Sequence, residues 1–225
     1  GWNQTETDLA FFLQQFPATV WVAVHNGQVI GSTTAAVYAR QMAWIGMVLV
    51  DPEFRRQGVG HRLMSTAIEA LAGIPRVKLD ATPDGKKLYD RMDFQDEYLL
   101  HRMIARLVIP RDTPAAGVRP MRPDDLPAVI AADQAAIGAA REALLTSLFQ
   151  RAPHLAWIST AAPTAFCLGR AGAQFTQIGP VVAPDPNTAQ NLVHAALAAL
   201  GGQPALLDVP DFQADLRETL KTRGF

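Results

Sequence analysis

A mixed α/β fold, with a mostly antiparallel central sheet flanked by helices and repeated in two tandem copies, is what this sequence predicts, and three observations carry the prediction. Residues 44–71 read as a buried strand, a loop dense in Arg and Gly, and an amphipathic helix. Two strand patterns joined by Asn26-Gly27 precede them, and that dipeptide is a hairpin turn that accepts positive φ. The same order of elements returns in the second half of the chain, from residue 141 onward.

The first copy opens with Leu9, Phe12, Leu13 and Phe16 at helical spacing, which predicts a helix over 5–16 that Pro17 stops. Residues 19–25 and 28–38 are the arms of the hairpin. The third strand, 44–50, is apolar and rich in β-branched residues. Asp51-Pro52 ends it, because proline disfavours helical geometry in the residue before it and cannot donate to a ladder. Beyond the loop, Leu63, Ala67, Ile68 and Leu71 share one helical face, with Arg62, Ser65, Thr66 and Glu69 between them. A short strand is expected at 76–80, a short helix at 85–92 and one long strand at 96–108. Residues 110–117 combine Pro, Gly and small side chains without periodicity and read as a linker, so the expected domains are 1–109 and 118–225. Trp21, Trp44 and Trp157 fall on strands and read as core or cleft wall, whereas Trp2, at the start of the first helix, is left between packing and substrate contact.

Chemistry concentrates where the helix after the third strand begins. Gly58 and Gly60 let the backbone approach a ligand closely, and the first N–H groups of a helix point outward along a partial positive charge, so such a place binds phosphate. Arg55 and Arg56 add fixed charge suited to a pyrophosphate. A lone Gly-x-Gly also describes a tight turn with two solvated arginines. Neither a P-loop nor a dinucleotide fingerprint is present, since the latter needs a glycine where Leu63 stands. Arg55-Arg56-Gln57-Gly58-Val59-Gly60, between an apolar strand and a helix, matches Gln/Arg-x-x-Gly-x-Gly/Ala, and with it the chain resembles the GNAT superfamily of acyl-CoA-dependent N-acetyltransferases.

The resemblance implies acetyl-CoA as co-substrate and no metal. The apolar strand is expected to splay from its neighbour, with backbone of residues 47–50, and so of Val48, Leu49 and Val50, holding the pantetheine and polarising the thioester. Arg55, Arg56, Gln57, Gly58, Val59, Gly60, His61 and Arg62 would surround the pyrophosphate. Leu88-Tyr89-x-x-x-Asp93-Phe94 matches the family's Leu-Tyr-x-x-x-Gly-Phe, in which the tyrosine commonly protonates the departing thiolate. A tyrosine packed under the donor is the other reading. Asp93 replaces the family's glycine, and Asp tolerates left-handed geometry better than most residues. Asp80 and Thr82 are the candidates for the general base, the family often having an Asn near position 82. Asp51 and Glu53 flank the loop as helix-capping or solvated acids, while His25, His61 and His101 have no assigned role, and a water chain can serve instead. The expected reaction is direct attack by a primary amine of a small molecule in a ternary complex. Alternatives are a non-catalytic acyl-CoA-binding or regulatory module and a peptide or protein N-acetyltransferase.

The second copy repeats the frame without this chemistry. Residues 141–153 echo 5–17, residues 179–200 echo 46–71, Leu207-Asp208 echoes Leu79-Asp80, and Gly224-Phe225 echoes Asp93-Phe94. Where the first copy has Arg55 to Gly60, the second has Asn187, Thr188, Ala189, Gln190, Asn191 and Leu192, with no glycine and no positive charge, and Asp185 would repel an anion. It reads as a degenerate GNAT-like domain. Residues 118–133 have no counterpart before Gly1, and the strand at 96–108 has none after Phe225. The chain is therefore expected to be a fragment lacking one strand–helix unit in front and one or two strands behind.

Composition narrows the remaining classes. The 225 residues carry a net charge of −1 without a Lys/Arg run, which argues against nucleic acid and anionic membranes as partners. A single cysteine, Cys167, excludes an internal disulfide framework and suits a reducing cytoplasm; it reads as a small core residue. No apolar run approaches the length of about 20 residues that spans a bilayer, so no membrane segment is expected. Oligomeric state stays open, a homodimer included.

Overall fold

The computed structural model describes residues 3–109 and 115–225, which divide into two compact units, one of residues 6–96 and one of residues 97–225 together with the start of the chain. Trp2 and most of the expected linker lie outside the described residues.

In the first unit, helix α1 (Glu6–Gln15) leads through Pro17 to strands β1 (Val20–His25), β2 (Gln28–Tyr38) and β3 (Met42–Val50), followed by α2 (Val59–Ala70), β4 (Arg76–Leu79) and α3 (Pro83–Tyr89). The hairpin turns at Asn26 (φ 49°) and Gly27 (φ 79°), the double positive φ that the dipeptide predicts. Sheet order is β1-β2-β3-β4, antiparallel except for β4, which runs parallel to β3. The apolar stripe of α2 buries Leu63, Met64, Ala67 and Leu71, and Met64 and Ala67 pack with Ala35, Ala43 and Ile45 of the sheet. Full burial of the leucine and methionine side chains contributes about 1.5–3 kcal/mol each, enough to seat the helix and therefore the loop that precedes it.

The second unit comprises β5 (Leu100–Ala105), β6 (Val118–Pro120), α4 (Leu126–Ile137), α5 (Glu142–Arg151), β7 (Trp157–Ser159), β8 (Phe166–Arg170), β9 (Thr176–Val182), α6 (Pro186–Ala199), β10 (Ala205–Pro210) and α7 (Ala214–Lys221). Its six strands run β5-β10-β9-β8-β7-β6, and α6 supplies Leu192, Val193, Ala196 and Leu197 to the core. Cys167 is fully buried there, and desolvation pushes its thiol up to about 12, as befits a core residue and not a nucleophile. Arg141 forks onto the wholly buried Asp133 at 2.9 and 2.5 Å, a paired charge that ties the start of α5 to α4.

Strands β7-β8-β9-β10 repeat β1-β2-β3-β4, with β6 and α4 as the strand and helix that have no counterpart in the first unit. One expectation changes. The segment 96–108, read as the closing strand of copy one, shortens to β5, which pairs antiparallel with β10 from Ala105↔Ala205 to Leu100↔Pro210. Its inward side chains, Met103 and Ala105, with Val108 beyond, pack in the second core. Alternation tells that a strand buries one face but not which sheet receives it. The two units accordingly part between Asp96 and Glu97, ahead of the sequence-expected boundary. The parallel rung between β9 and β10 also ends at Gln177↔Leu206, one residue from the echo expected at Leu207.

Candidate functional site

The site of the first unit starts from a fault in β3. Opposite the register shift between Ser32 and Thr34, Met47 takes φ 52°, a left-handed conformation that is strained for a side chain of this kind. Ser32 Oγ donates to the Met47 carbonyl at 3.1 Å, while Thr33 and Thr34 donate to the Gly46 carbonyl at 3.5 and 3.2 Å. The parallel ladder to β4 stops at Ile45↔Leu79, so residues 46–50 pair only with β2 and their other edge is open. This is the expected splay, and it includes Val48, Leu49 and Val50.

Where β3 ends, Asp51 caps a single 3₁₀ turn, Pro52–Phe54, by accepting the Glu53 N–H at 2.9 Å. Arg55 Nε donates to the Val50 carbonyl at 3.2 Å, and Gln57 donates to the Glu53 carbonyl at 2.9 Å, so the loop is held to the strand by its own polar side chains. Arg55, Arg56, His61 and Arg62 are all exposed. Gly58 is the N-cap of α2 at φ 84°, and no side chain caps the helix. The first intrahelical bond runs from Arg62 N–H to Gly58, which leaves the N–H groups of Val59, Gly60 and His61 pointing beyond the helix end. Open space surrounds the position a Cβ would take at Gly58. Free N–H groups, a glycine at positive φ and two guanidinium groups fit a pyrophosphate.

Gly60 is the meeting point of the site. A Cβ there would stand 3.6 Å from both Val50 Cγ2 and Leu88 Cδ2, so the end of β3, the start of α2 and the helix carrying Tyr89 converge on it. Tyr89 is buried against this core, with 9 % of its surface exposed, and meets Phe94 edge-on at a ring distance of 6.2 Å. Desolvation raises its phenol above the ordinary value of 10.0, so the hydroxyl keeps its proton at neutral pH. Asp93 stands at φ 64°, the left-handed turn survives the loss of glycine, and Phe94 N–H reaches back to the Tyr89 carbonyl at 3.2 Å.

The two candidates for the base differ in what occupies them. Asp80 lies just past the last β3–β4 rung, exposed, and accepts the Trp44 indole N–H at 3.2 Å. Thr82 is the N-cap of α3, its hydroxyl accepting the Gly85 N–H at 3.2 Å. His25 faces Phe54 at a ring distance of 5.3 Å, His61 lies 3.5 Å from Ser65, and His101 belongs to β5 in the other unit. Sequence reasoning missed the Ser32-Thr33-Thr34 brace, although three successive hydroxyl residues inside an otherwise apolar strand were a visible signal. It also missed Gly85, where a Cβ would lie 2.9 Å from the Tyr89 ring. Among the described residues, no group of three or more His, Cys, Asp or Glu is placed to hold a metal. No described helix is long and apolar enough to cross a membrane.

Known proteins share the sequence and the fold of these regions. A family model for an acetyltransferase (GNAT) domain matches residues 17–96, and a second model of the same description matches residues 129–225. An uncharacterised N-acetyltransferase of Bacillus subtilis, YitH, is 25% identical over 229 residues, covering 100% of this chain and 80% of its own length. N-alpha-acetyltransferase 30 of Dictyostelium discoideum is 38% identical over 64 residues, 27% of this chain and 35% of its own. Among solved structures, a proposed acetyltransferase from Pyrococcus horikoshii superposes with a TM-score of 0.78 at 25% identity, over 96% of this chain and 72% of that one. A GCN5-related N-acetyltransferase from Sphaerobacter thermophilus shares the fold with a TM-score of 0.57 at 20% identity, over 91% and 76%. With a family match in each half and the bulge, loop and tyrosine together in the first, the chain belongs to the GNAT acetyltransferase superfamily and carries two GNAT regions in tandem.

Proposed function

We propose that the first unit transfers an acetyl group from acetyl-CoA to the primary amine of a small molecule by direct attack in a ternary complex. The convergence at Gly60 of the open edge of β3, the uncapped start of α2 and the helix bearing Tyr89 carries this reading. Acetyl-CoA supplies an activated thioester. The N–H groups of residues 59–61, with Arg55 and Arg56, would hold its pyrophosphate, and the backbone of residues 47–50 would align its pantetheine and acyl group.

With donor and amine aligned, much of the barrier falls to proximity. The amine lone pair forms the new C–N bond at the carbonyl carbon, the C–S bond breaks, and the sulfur leaves with the electron pair. Tyr89 gives its proton to that sulfur. Burial keeps the phenol protonated and raises its pKa further above that of a thiol, so alignment with the departing sulfur must offset an unfavourable proton transfer. The proton lost by the amine passes to water or to Asp80, which stands where β3 and β4 part.

Thiol release from acetyl-CoA, measured against a panel of amino acids, polyamines, aminoglycosides and short peptides, tests the proposal. Release that depends on one class of small amine supports it. Release confined to peptides would favour the peptide N-acetyltransferase reading, for which the likeness to N-alpha-acetyltransferase 30 is the one supporting observation. Binding of CoA without release across the panel would favour the non-catalytic module.

A further inference from the structure

We propose that Ser32, supported by Thr33 and Thr34, is a positioning residue for acyl transfer: its hydroxyl holds the Met47 carbonyl against β2 and thereby fixes the strained backbone whose open edge faces the acyl donor. The inference rests on the reading that this edge holds the thioester.

A methionine at φ 52° inside a strand persists only where its surroundings over-determine it. Here the carbonyls of Gly46 and Met47 are both held toward β2 by side-chain hydroxyls, and the two threonines are almost wholly buried, at 0% and 3% exposure. The second unit provides an internal control. Its register runs Phe166↔Val182, Cys167↔Val181, then Gly169↔Ile178, against Gly31↔Val50, Ser32↔Leu49, then Thr34↔Gly46. Cys167, Leu168 and Gly169 therefore stand where Ser32, Thr33 and Thr34 stand, and Gly179, at φ 142°, stands where Met47 does. The second unit keeps the bulge with a glycine and has no hydroxyl brace, and it also lacks the anion loop. The brace goes with the copy that has donor chemistry, where a reacting carbonyl must be held to a fraction of an ångström.

Ser32→Ala, Ser32→Thr and wild type separate positioning from simple stability. Ser32→Ala is expected to lower kcat about tenfold, with KM for acetyl-CoA and the affinity for CoA within about twofold of wild type, because the loop at Gly58 is untouched. Amide hydrogen exchange over residues 46–49 is expected to quicken in Ser32→Ala and not in Ser32→Thr, which restores kcat. Wild-type kcat in Ser32→Ala, an equal loss in Ser32→Thr, or unchanged exchange at 46–49 would overturn the proposal. If wild type acetylates no amine, the transfer reading fails on that result alone. The ratio of acetyl-CoA to CoA affinity by calorimetry then decides the brace: narrowing in Ser32→Ala supports it, and an unchanged ratio overturns it.

Discussion

The two copies share a strand order and a bulge, and they differ in how the next helix begins. In the first unit residues 51–57 separate Val50 from Gly58, and α2 starts with its N–H groups uncapped. In the second only residues 183 and 184 separate Val182 from Asp185, whose carboxylate accepts both the N–H and the hydroxyl of Thr188, at 2.9 and 2.7 Å. Residues 187–192, which the sequence echo sets opposite Arg55 to Gly60, lie inside α6, whose N-cap Asp185 takes the place of Gly58, and Leu192 is fully buried. One copy leaves the start of its helix without a side-chain cap; the other satisfies it with its own side chain. The same divergence recurs where each copy closes: Asp93 and Gly224 both turn left-handed, and Phe94 and Phe225 both bond back, to Tyr89 and to Leu220. Leucine therefore stands in copy two where the phenol stands in copy one. The frame is kept by packing, while the glycine loop, the uncapped helix start and the phenol of copy one have no equivalent in copy two.

The largest expected effect lies at that last position. Tyr89→Phe keeps the packed ring and removes the proton, so turnover should fall about 100-fold or more while CoA affinity holds. Steady-state thiol release together with calorimetric titration of CoA measures both. Full turnover in Tyr89→Phe would make the tyrosine a wall of the site and erase the contrast with Leu220.

Next come the loop residues. Arg55→Ala with Arg56→Ala should weaken CoA binding about tenfold, with the deficit shrinking as salt is raised, because exposed charges are screened. Gly60→Ala should bind CoA nearly normally and fold about 0.5 kcal/mol more stably, since φ is ordinary there and a Cβ meets Val50 and Leu88 at contact distance. Gly60→Leu, which puts a bulky side chain where the backbone would approach the donor, should abolish binding. Thermal unfolding with and without CoA distinguishes these outcomes, and CoA binding by Gly60→Leu would show that the donor does not approach the backbone at Gly60.

Much of this was legible in the residues. The hairpin at Asn26-Gly27, the strand ended by Asp51-Pro52 and the glycine loop follow from spacing and backbone preference, which are local; the Tyr89 motif came from the family resemblance and the repeat from setting one half of the chain against the other. What stayed hidden was non-local. Nothing in 96–108 says that β5 joins β10, nothing in Trp44 points to Asp80 across a parallel rung, and Thr82 as a cap needed the start of α3 at Pro83. The strand at 166–170 and the helix at 214–221 also went unread. The brace is the instructive case: Ser32-Thr33-Thr34 stood in plain view, yet its meaning depended on which residue of β3 had slipped out of register.

The smallest effect tests the cap of copy two. The Thr188 hydroxyl, and then its backbone N–H, hold the Asp185 carboxyl below its ordinary value of 3.8. On acidification the unfolded chain therefore takes up this proton before the folded one does, and stability conferred by the cap is full above 3.8 and lost as pH falls through the folded value. The melting temperature of Asp185→Ala should lie slightly below wild type at neutral pH and converge with it in acid. A gap that persists in acid would mean the side chain acts by packing and not by charge. Asp185→Ala should also bind no second equivalent of CoA beyond that of the first unit, since residues 187–192 remain helical and offer neither glycine nor cation. A second equivalent of CoA bound by that variant would show that the capping carboxylate, and not the short connection before α6, separates the two helix starts.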